Sequence, residues 1–427
     1  MEGAPSKRCR PMMAVGTSAT LASALCGLPF AHLALPLAAW LQAVCFMGTI
    51  VDLIRVSCVA RALAALLHNQ GAWRRVVLDA VKGFEGASAE QRMELRFANT
   101  WQSTALHGAA SSFGAARRLA VRAWRDCQSI LEGIPCCGGL ERERWRPERG
   151  ERAPLRSVAA PAVLALGPSL GKFFGGWPRL RWTASALRQC FERRAFAVVL
   201  PGTGRRYRMR LGAFLRYAAA GRDFAPPAWD SEPLYLFEPR PPRALRAALR
   251  PPPLSAAQDL VRACPELRWA LREAARGWLL VGGAGSGSRF HTDAYGSGAW
   301  SACLEGRKRW AMYPPSGAPP PGVICPAPGR YAAPAPLFWF TEVLPALPAS
   351  RRPAVDVIAE AGDIVYVPPG WWHCVLNLAT PTVAFTRNVV LGLEAAAGVA
   401  DALNEAGKAG TAAAVREFVW RCHAEDD

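Results

Sequence analysis

Gly285-Ser-Gly-Ser-Arg-Phe-His-Thr-Asp293, answered far downstream by Tyr366-Val-Pro-Pro-Gly-Trp-Trp-His373, is the part of the sequence on which the fold turns. On an extended strand, residues two apart face the same side, so His291 and Asp293 offer an imidazole and a carboxylate to one point. A lone His-x-Asp recurs by chance and decides little; its context decides more. Four Gly or Ser residues precede His291, and Gly362-Asp-Ile-Val-Tyr-Val-Pro368 reads as turn, strand and stop before His373. Strands so distant meet when two sheets pack face to face, as in jelly rolls and cupins. Two imidazoles and one carboxylate are the facial ligand set of non-haem iron, with the remaining positions open for a co-substrate and dioxygen.

Working outward, Gly298 to Tyr313 and Trp278 to Val281 read as strands, with a long loop from Pro314 to Pro336 between the two halves of the site. Trp182 to Arg194 has a helical pattern opened by Thr183. Ala195 to Leu200 and Tyr207 to Leu211 form a hairpin around Pro201-Gly-Thr-Gly204, and Gly212 to Ala220 is helical. The Pro-rich run Pro241 to Pro253 is expected to be extended. From Glu394 onward, Ala-rich sequence predicts terminal helices. Residues 133–156 mix Gly, Pro and dense charge, as in Glu141-Arg-Glu-Arg144, and read as a linker.

The chain has 427 residues, half of them hydrophobic, which excludes disorder throughout and allows two structured parts. Its net charge of +18 is uneven: residues 1–280 carry 40 Lys and Arg against 20 Asp and Glu, whereas 281–395 is close to neutral. Nucleic acid is one partner such a charge allows, but Arg enrichment alongside Ala, Gly and Pro is better read as compositional drift at tolerant surface positions. The 13 cysteines show no zinc-module spacing and fit a reducing compartment, nuclear or cytoplasmic. Residues 11–51 contain no Asp, Glu, Lys or Arg, but Pro29, His32, Pro36 and Gln42 interrupt them. Residues 1–34 are read as a flexible or targeting N-terminus, with no stable membrane insertion expected.

Two resemblances add to this. Residues 35–80 resemble an F-box, through Leu35-Pro36, Asp52-Leu-Ile-Arg-Val56 and Trp73, although the acidic residues usual in its first helix are missing. An F-box implies a Skp-type adaptor partner bound through residues 35–77. A helical pair packing on the rest of the protein is the plainer alternative. Gly285 to Trp310, together with Gly362 to Asn388, resembles the JmjC-domain oxygenases, and among them the jumonji lysyl hydroxylases; looser likeness runs back to Trp182.

The JmjC resemblance implies an α+β protein built on a double-stranded β-helix with flanking helices. Residues 81–156 would be a connector and linker, 157–395 the oxygenase domain with its N-terminal extension, and 396–427 C-terminal helices. It implies Fe(II) held by His291, Asp293 and His373, with 2-oxoglutarate and dioxygen as co-substrates and a protein or peptide substrate. Position by position, Lys308 would pair with the distal carboxylate of 2-oxoglutarate, and Thr386 and Tyr235 would hydrogen-bond it. Asn388 is retained, and Ser301 stands where relatives carry asparagine, keeping an oxygen but shortening the reach. Lys308 stands out without the family as well: it is one of five lysines in an arginine-rich chain, between two arginines, where a compact ammonium rather than a planar fork is wanted. Trp371 and Trp372 are expected to wall the pocket. The activities implied are hydroxylation of a protein side chain or demethylation by N-methyl hydroxylation; the rivals are an F-box adaptor using the fold for presentation, and a metal-binding cupin of other chemistry.

Overall fold

A computed structural model describes residues 94–95, 136, 140–146, 155–174, 182–199, 206–223, 233–250 and 252–426, with breaks at 253, 255–258, 316–317 and 328–329. The N-terminal segment 1–34 and the F-box-like module 35–80 lie outside the described residues. Among the described residues, no helix is long and apolar enough to cross a membrane.

The strands are β1 (Glu94–Leu95), β2 (Arg142–Arg144), β3 (Ala162–Ala165), β4 (Ala195–Val199), β5 (Arg206–Arg210), β6 (Tyr235–Glu238), β7 (Trp278–Gly282) and β8 (Gly287–His291). They continue as β9 (Gly298–Glu305), β10 (Arg307–Tyr313), β11 (Ile324–Ala327), β12 (Arg330–Ala332), β13 (Val355–Glu360), β14 (Asp363–Val367), β15 (Trp372–Asn377) and β16 (Thr382–Val389). Ten form one sheet in the order β1-β5-β4-β6-β7-β16-β9-β14-β3-β2, and four form the facing sheet in the order β13-β10-β15-β8. From β7 to β16, leaving out the β11–β12 pair, successive strands fall alternately in the two sheets except from β10 to β13, which are neighbours in the four-stranded sheet. That alternation is a double-stranded β-helix: a cupin-like jelly roll of the α+β class.

Residue chemistry explains where each layer forms. The space between the sheets takes the inward-facing alternate residues, among them Val163, Trp310, Met312, Val365, Val367 and Val375. The outer face of the larger sheet buries an aromatic cluster in which Phe174, Trp182 and Phe385 meet edge to face at 5.4–6.0 Å. Trp182 leads into the helix Ala184–Phe191, whose N-cap Thr183 accepts from the Ala186 amide at 3.2 Å. The helix Leu211–Asp223 follows β5, so the expected helix–hairpin–helix order is present. Helices Leu393–Glu405 and Ala409–Asp426 close the chain around a separate apolar cluster with Leu267, Val390 and Leu403; the first crosses the boundary expected at 395/396.

Three expectations are corrected. Within the expected linker, Arg142–Arg144 is a strand parallel to β3, and Trp145 is buried. Arg142 reaches Asp363 at 3.3 Å and the Ile358 carbonyl at 2.5 Å, partners that local composition cannot show. In the Pro-rich run, Arg243–Ala248 is a helix: the prolines stop at Pro242, which sits at the N-cap, and an Ala/Arg/Leu stretch follows. The long loop from Pro314 carries the β11–β12 pair and the helical segment from Pro336 that covers the outer face of the small sheet.

Candidate metal centre and its pocket

β8 and β15 pair antiparallel with His291 directly opposite His373, which puts their rings 4.1 Å apart. Gly287 makes this close pairing feasible, because a Cβ there would lie 1.9 Å from the Val375 carbonyl oxygen. Past His291 the backbone stays extended through Asp293, which then opens a one-turn 3-10 helix. His291, Asp293 and His373 thus each bring a ligand atom within 4.8 Å of the others. His291 is exposed and His373 buried, so the cluster lies at the mouth of the space between the sheets.

Hydrogen bonds set the ring orientations. His291 Nδ1 lies 2.7 Å from the Arg289 carbonyl and His373 Nδ1 lies 3.2 Å from the Trp371 carbonyl. A carbonyl only accepts, so each Nδ1 carries the proton and each Nε2 keeps its lone pair for a ligand. The Nε2 of His373 lies 3.9 Å from Asp293 Oδ2. Burial, reinforced by His291, holds His373 well below the ordinary histidine range, so its ring is neutral at neutral pH. Burial pushes the Asp293 carboxyl up, while His291 and a hydrogen bond from Asn388 pull it back. Asp293 Oδ2 is buried without a hydrogen-bond partner among the described residues. A carboxylate oxygen left bare beside two imidazole lone pairs is a donor set that a divalent cation completes, and its chemistry fits ferrous iron.

Deeper in, a cavity of about 220 Å³ is lined by the three candidate ligands and by Ser301, Lys308, Thr386 and Asn388. Lys308 is 2% exposed, and its Nζ donates to the Tyr235 hydroxyl at 2.9 Å; no carboxylate pairs with it among the described residues. Alternation along β10 explains its position: Lys308 and Trp310 face the cavity, whereas Arg309 faces outward into a buried two-point ion pair with Asp356 at 2.8 Å. Thr386 and Ser301 lie opposite each other on β16 and β9, with the Thr386 hydroxyl donating to the Trp300 carbonyl at 2.9 Å. Asn388 donates to the Ser297 hydroxyl at 2.8 Å, tying β16 to the turn that carries Asp293. The structure therefore brings all eight residues singled out in the sequence to one place.

The expected aromatic wall is corrected. Neither Trp371 nor Trp372 lines the cavity: Trp372 packs on Tyr331 at 4.8 Å outside the small sheet. Trp278 and Trp310 form the wall instead. Trp310, two residues beyond Lys308, was legible from strand alternation. Trp278 carries no local signal, because its place depends on which sheet its strand joins.

Residues 198–388 match the family model of the cupin-like domain. Over 351 residues the chain is 25% identical to the Arabidopsis thaliana arginine-specific demethylase JMJ22, an alignment covering 77% of this chain and 62% of that protein. It is 28% identical over 221 residues to the Caenorhabditis briggsae bifunctional arginine demethylase and lysyl-hydroxylase psr-1, covering 49% of this chain and 51% of the relative. Over 119 residues it is 36% identical to the Gallus gallus 2-oxoglutarate and iron-dependent oxygenase JMJD4, covering 28% of this chain and 27% of the relative. The chain thus spans less than two thirds of the length of each of these relatives. Residues 198–388 thus form a cupin-like domain, and over its jelly roll and donor set the chain is similar to proteins named as JmjC demethylases and as a 2-oxoglutarate and iron-dependent oxygenase.

Proposed function

We propose that the protein is an Fe(II)- and 2-oxoglutarate-dependent dioxygenase that hydroxylates a side chain of a protein substrate, with loss of an N-methyl group as the variant outcome when the hydroxylated carbon is borne on nitrogen. The observation that carries this reading is the pairing of the three-donor cluster with a buried ammonium that meets no carboxylate among the described residues, in one cavity. His291, Asp293 and His373 hold the metal. With 2-oxoglutarate and dioxygen, the bound iron supplies the oxidising power that no side chain here has.

The chain's own groups bind, orient and exclude water. Lys308 holds the distal carboxylate of 2-oxoglutarate, which gives the buried ammonium the counter-charge that none of the described residues supplies. The Tyr235 hydroxyl already accepts from Lys308 Nζ, so its own proton is free to reach the same carboxylate. The Thr386 hydroxyl and the shorter Ser301 stand on the opposite sheet. Asn388 fixes Asp293 both directly and through Ser297. Trp278 and Trp310 keep the cavity dry. The relatives named for arginine demethylation and lysyl hydroxylation support a protein substrate.

Anaerobic titration of Fe(II) with 2-oxoglutarate, followed by succinate measurement in air, tests the reading. The wild type is expected to bind both and turn over slowly without substrate, and His291→Ala to do neither; a wild type that forms no succinate would sink it. A peptide scan then separates a gain of one oxygen from release of formaldehyde.

A further inference from the structure

Tyr295 is a tyrosine in a left-handed backbone conformation, at φ 52° and ψ 34°, two residues beyond Asp293, and Gly296 follows in the same region at φ 65°. A bulky residue is rarely found there and stays only where its surroundings fix it. What fixes this one is not the barrel. Its ring packs on the apolar cluster of the C-terminal helices, its hydroxyl accepts a hydrogen bond from Lys408 Nζ, and the same ammonium lies 4.6 Å from its ring centroid. Lys408 is itself placed rigidly. It lies at the corner between the last two helices, after Gly407 at φ 74°, with its amide donating to the Leu403 carbonyl and its carbonyl accepting from the Ala412 amide.

We propose that Tyr295 and Lys408 are positioning residues: a latch through which the C-terminal helix pair holds the Asp293 carboxylate in place for metal, although residues 393–426 supply no ligand. The inference rests on reading His291, Asp293 and His373 as metal ligands. The turn transmits the hold, because the Gly296 amide donates to the Asp293 carbonyl at 3.1 Å and the Ser297 amide to the Ala294 carbonyl at 3.1 Å. Displacing the ring of Tyr295 therefore rotates the residue that carries the ligand. One side of this turn is already tied to β16 by Asn388, and the latch is the tie on the other side. Asp293 Oδ2 has no hydrogen-bond partner among the described residues, so the backbone of this turn, together with Asn388, sets its aim.

The test is calorimetric titration of the full chain with Mn(II), which takes the same donors without consuming dioxygen, alongside melting of the metal-free protein. Wild type should bind and His291→Ala should not. Lys408→Met, which keeps the aliphatic stem, should weaken Mn(II) binding about tenfold, the low end of what loss of a ligand-orienting contact does. Its metal-free melting temperature should stay within the range of ordinary surface substitutions. Lys408→Arg, which retains the charge over the ring, should restore most of the affinity, and Tyr295→Phe should fall between wild type and Lys408→Met. Wild-type affinity in Lys408→Met, or in Tyr295→Phe if Lys408→Met does not fold, overturns the latch and leaves the metal site standing. Failure of wild type itself to bind Mn(II) overturns the metal site, and the latch with it.

Discussion

Lys308 concentrates the chemistry of the site in one side chain. Its ammonium sits almost fully out of water with a phenol as its hydrogen-bond partner, an arrangement that favours any anion able to reach it. Lys308→Met, which keeps the volume and removes the charge, is expected to raise the KM for 2-oxoglutarate by at least about tenfold, equivalent to about 1.4 kcal/mol. Fe(II) affinity measured without co-substrate should change little. Lys308→Arg is expected not to rescue, because a planar fork does not fit the place of a compact ammonium beside Tyr235; equal KM values across the three proteins would remove Lys308 from the co-substrate site. His373 makes a second prediction at this scale. Its folded-state pKa is depressed by burial, so below the ordinary value of 6.5 the unfolded chain binds a proton that the folded chain does not. Stability of the metal-free protein is therefore present above pH 6.5 and lost as pH falls below it, by up to about 1.4 kcal/mol per pH unit. Asp293 works in the opposite sense, since its raised pKa lets the folded form take a proton first. Melting curves at pH 7.5 and 5.5 should show the loss in wild type and a smaller one in His373→Gln.

At the scale of elements, β8 and β15 form the pairing on which the metal centre depends. Gly287→Ala forces a methyl group into the Val375 carbonyl, and the strand must move to accommodate it. The expected outcome is a destabilisation of about 1–3 kcal/mol, typical of overpacking, with a loss of metal affinity beyond it, because His291 moves with the strand. Denaturant unfolding together with Mn(II) titration checks both, and unchanged metal affinity would show that the register tolerates the shift. This scale also shows what the sequence made legible. The strands around His291 and His373 could be read because apolar alternation, Gly306 and Gly362 mark their sides and ends; Gly306 takes φ 81° in the tight turn between β9 and β10, where a Cβ would lie 2.5 Å from the Thr382 hydroxyl oxygen. Arg142–Arg144 could not be read, since a charged edge strand looks like a linker until its partners, Glu360 and Asp363, fold beside it. Likewise, composition alone does not separate Trp372, which faces away from the cavity as the strand neighbour of His373, from Trp371, which packs against the inter-sheet cluster.

Across the whole molecule, the working groups are divided between two sheets. His291, His373 and Lys308 belong to the four-stranded sheet, while Ser301, Thr386 and Asn388 belong to the ten-stranded one. Family resemblance found these residues from sequence, but not the gap between them, which is set by packing of Trp310, Val365 and Val375 from both sides. The outer aromatic cluster and the C-terminal helices fix that gap from behind. The buried Lys308 ammonium enclosed between two polar walls also makes the site a trap for a carboxylate. Succinate, the spent co-substrate, keeps the carboxylate that Lys308 would hold, so it should lodge there once metal balances the Asp293 carboxylate. At ten times its dissociation constant it should stabilise the fold by about 1.4 kcal/mol, visible as a rise in melting temperature that monocarboxylic acetate does not match and that Lys308→Met abolishes. If so, the enzyme slows as its own product accumulates, and its output follows the ratio of the two diacids around it.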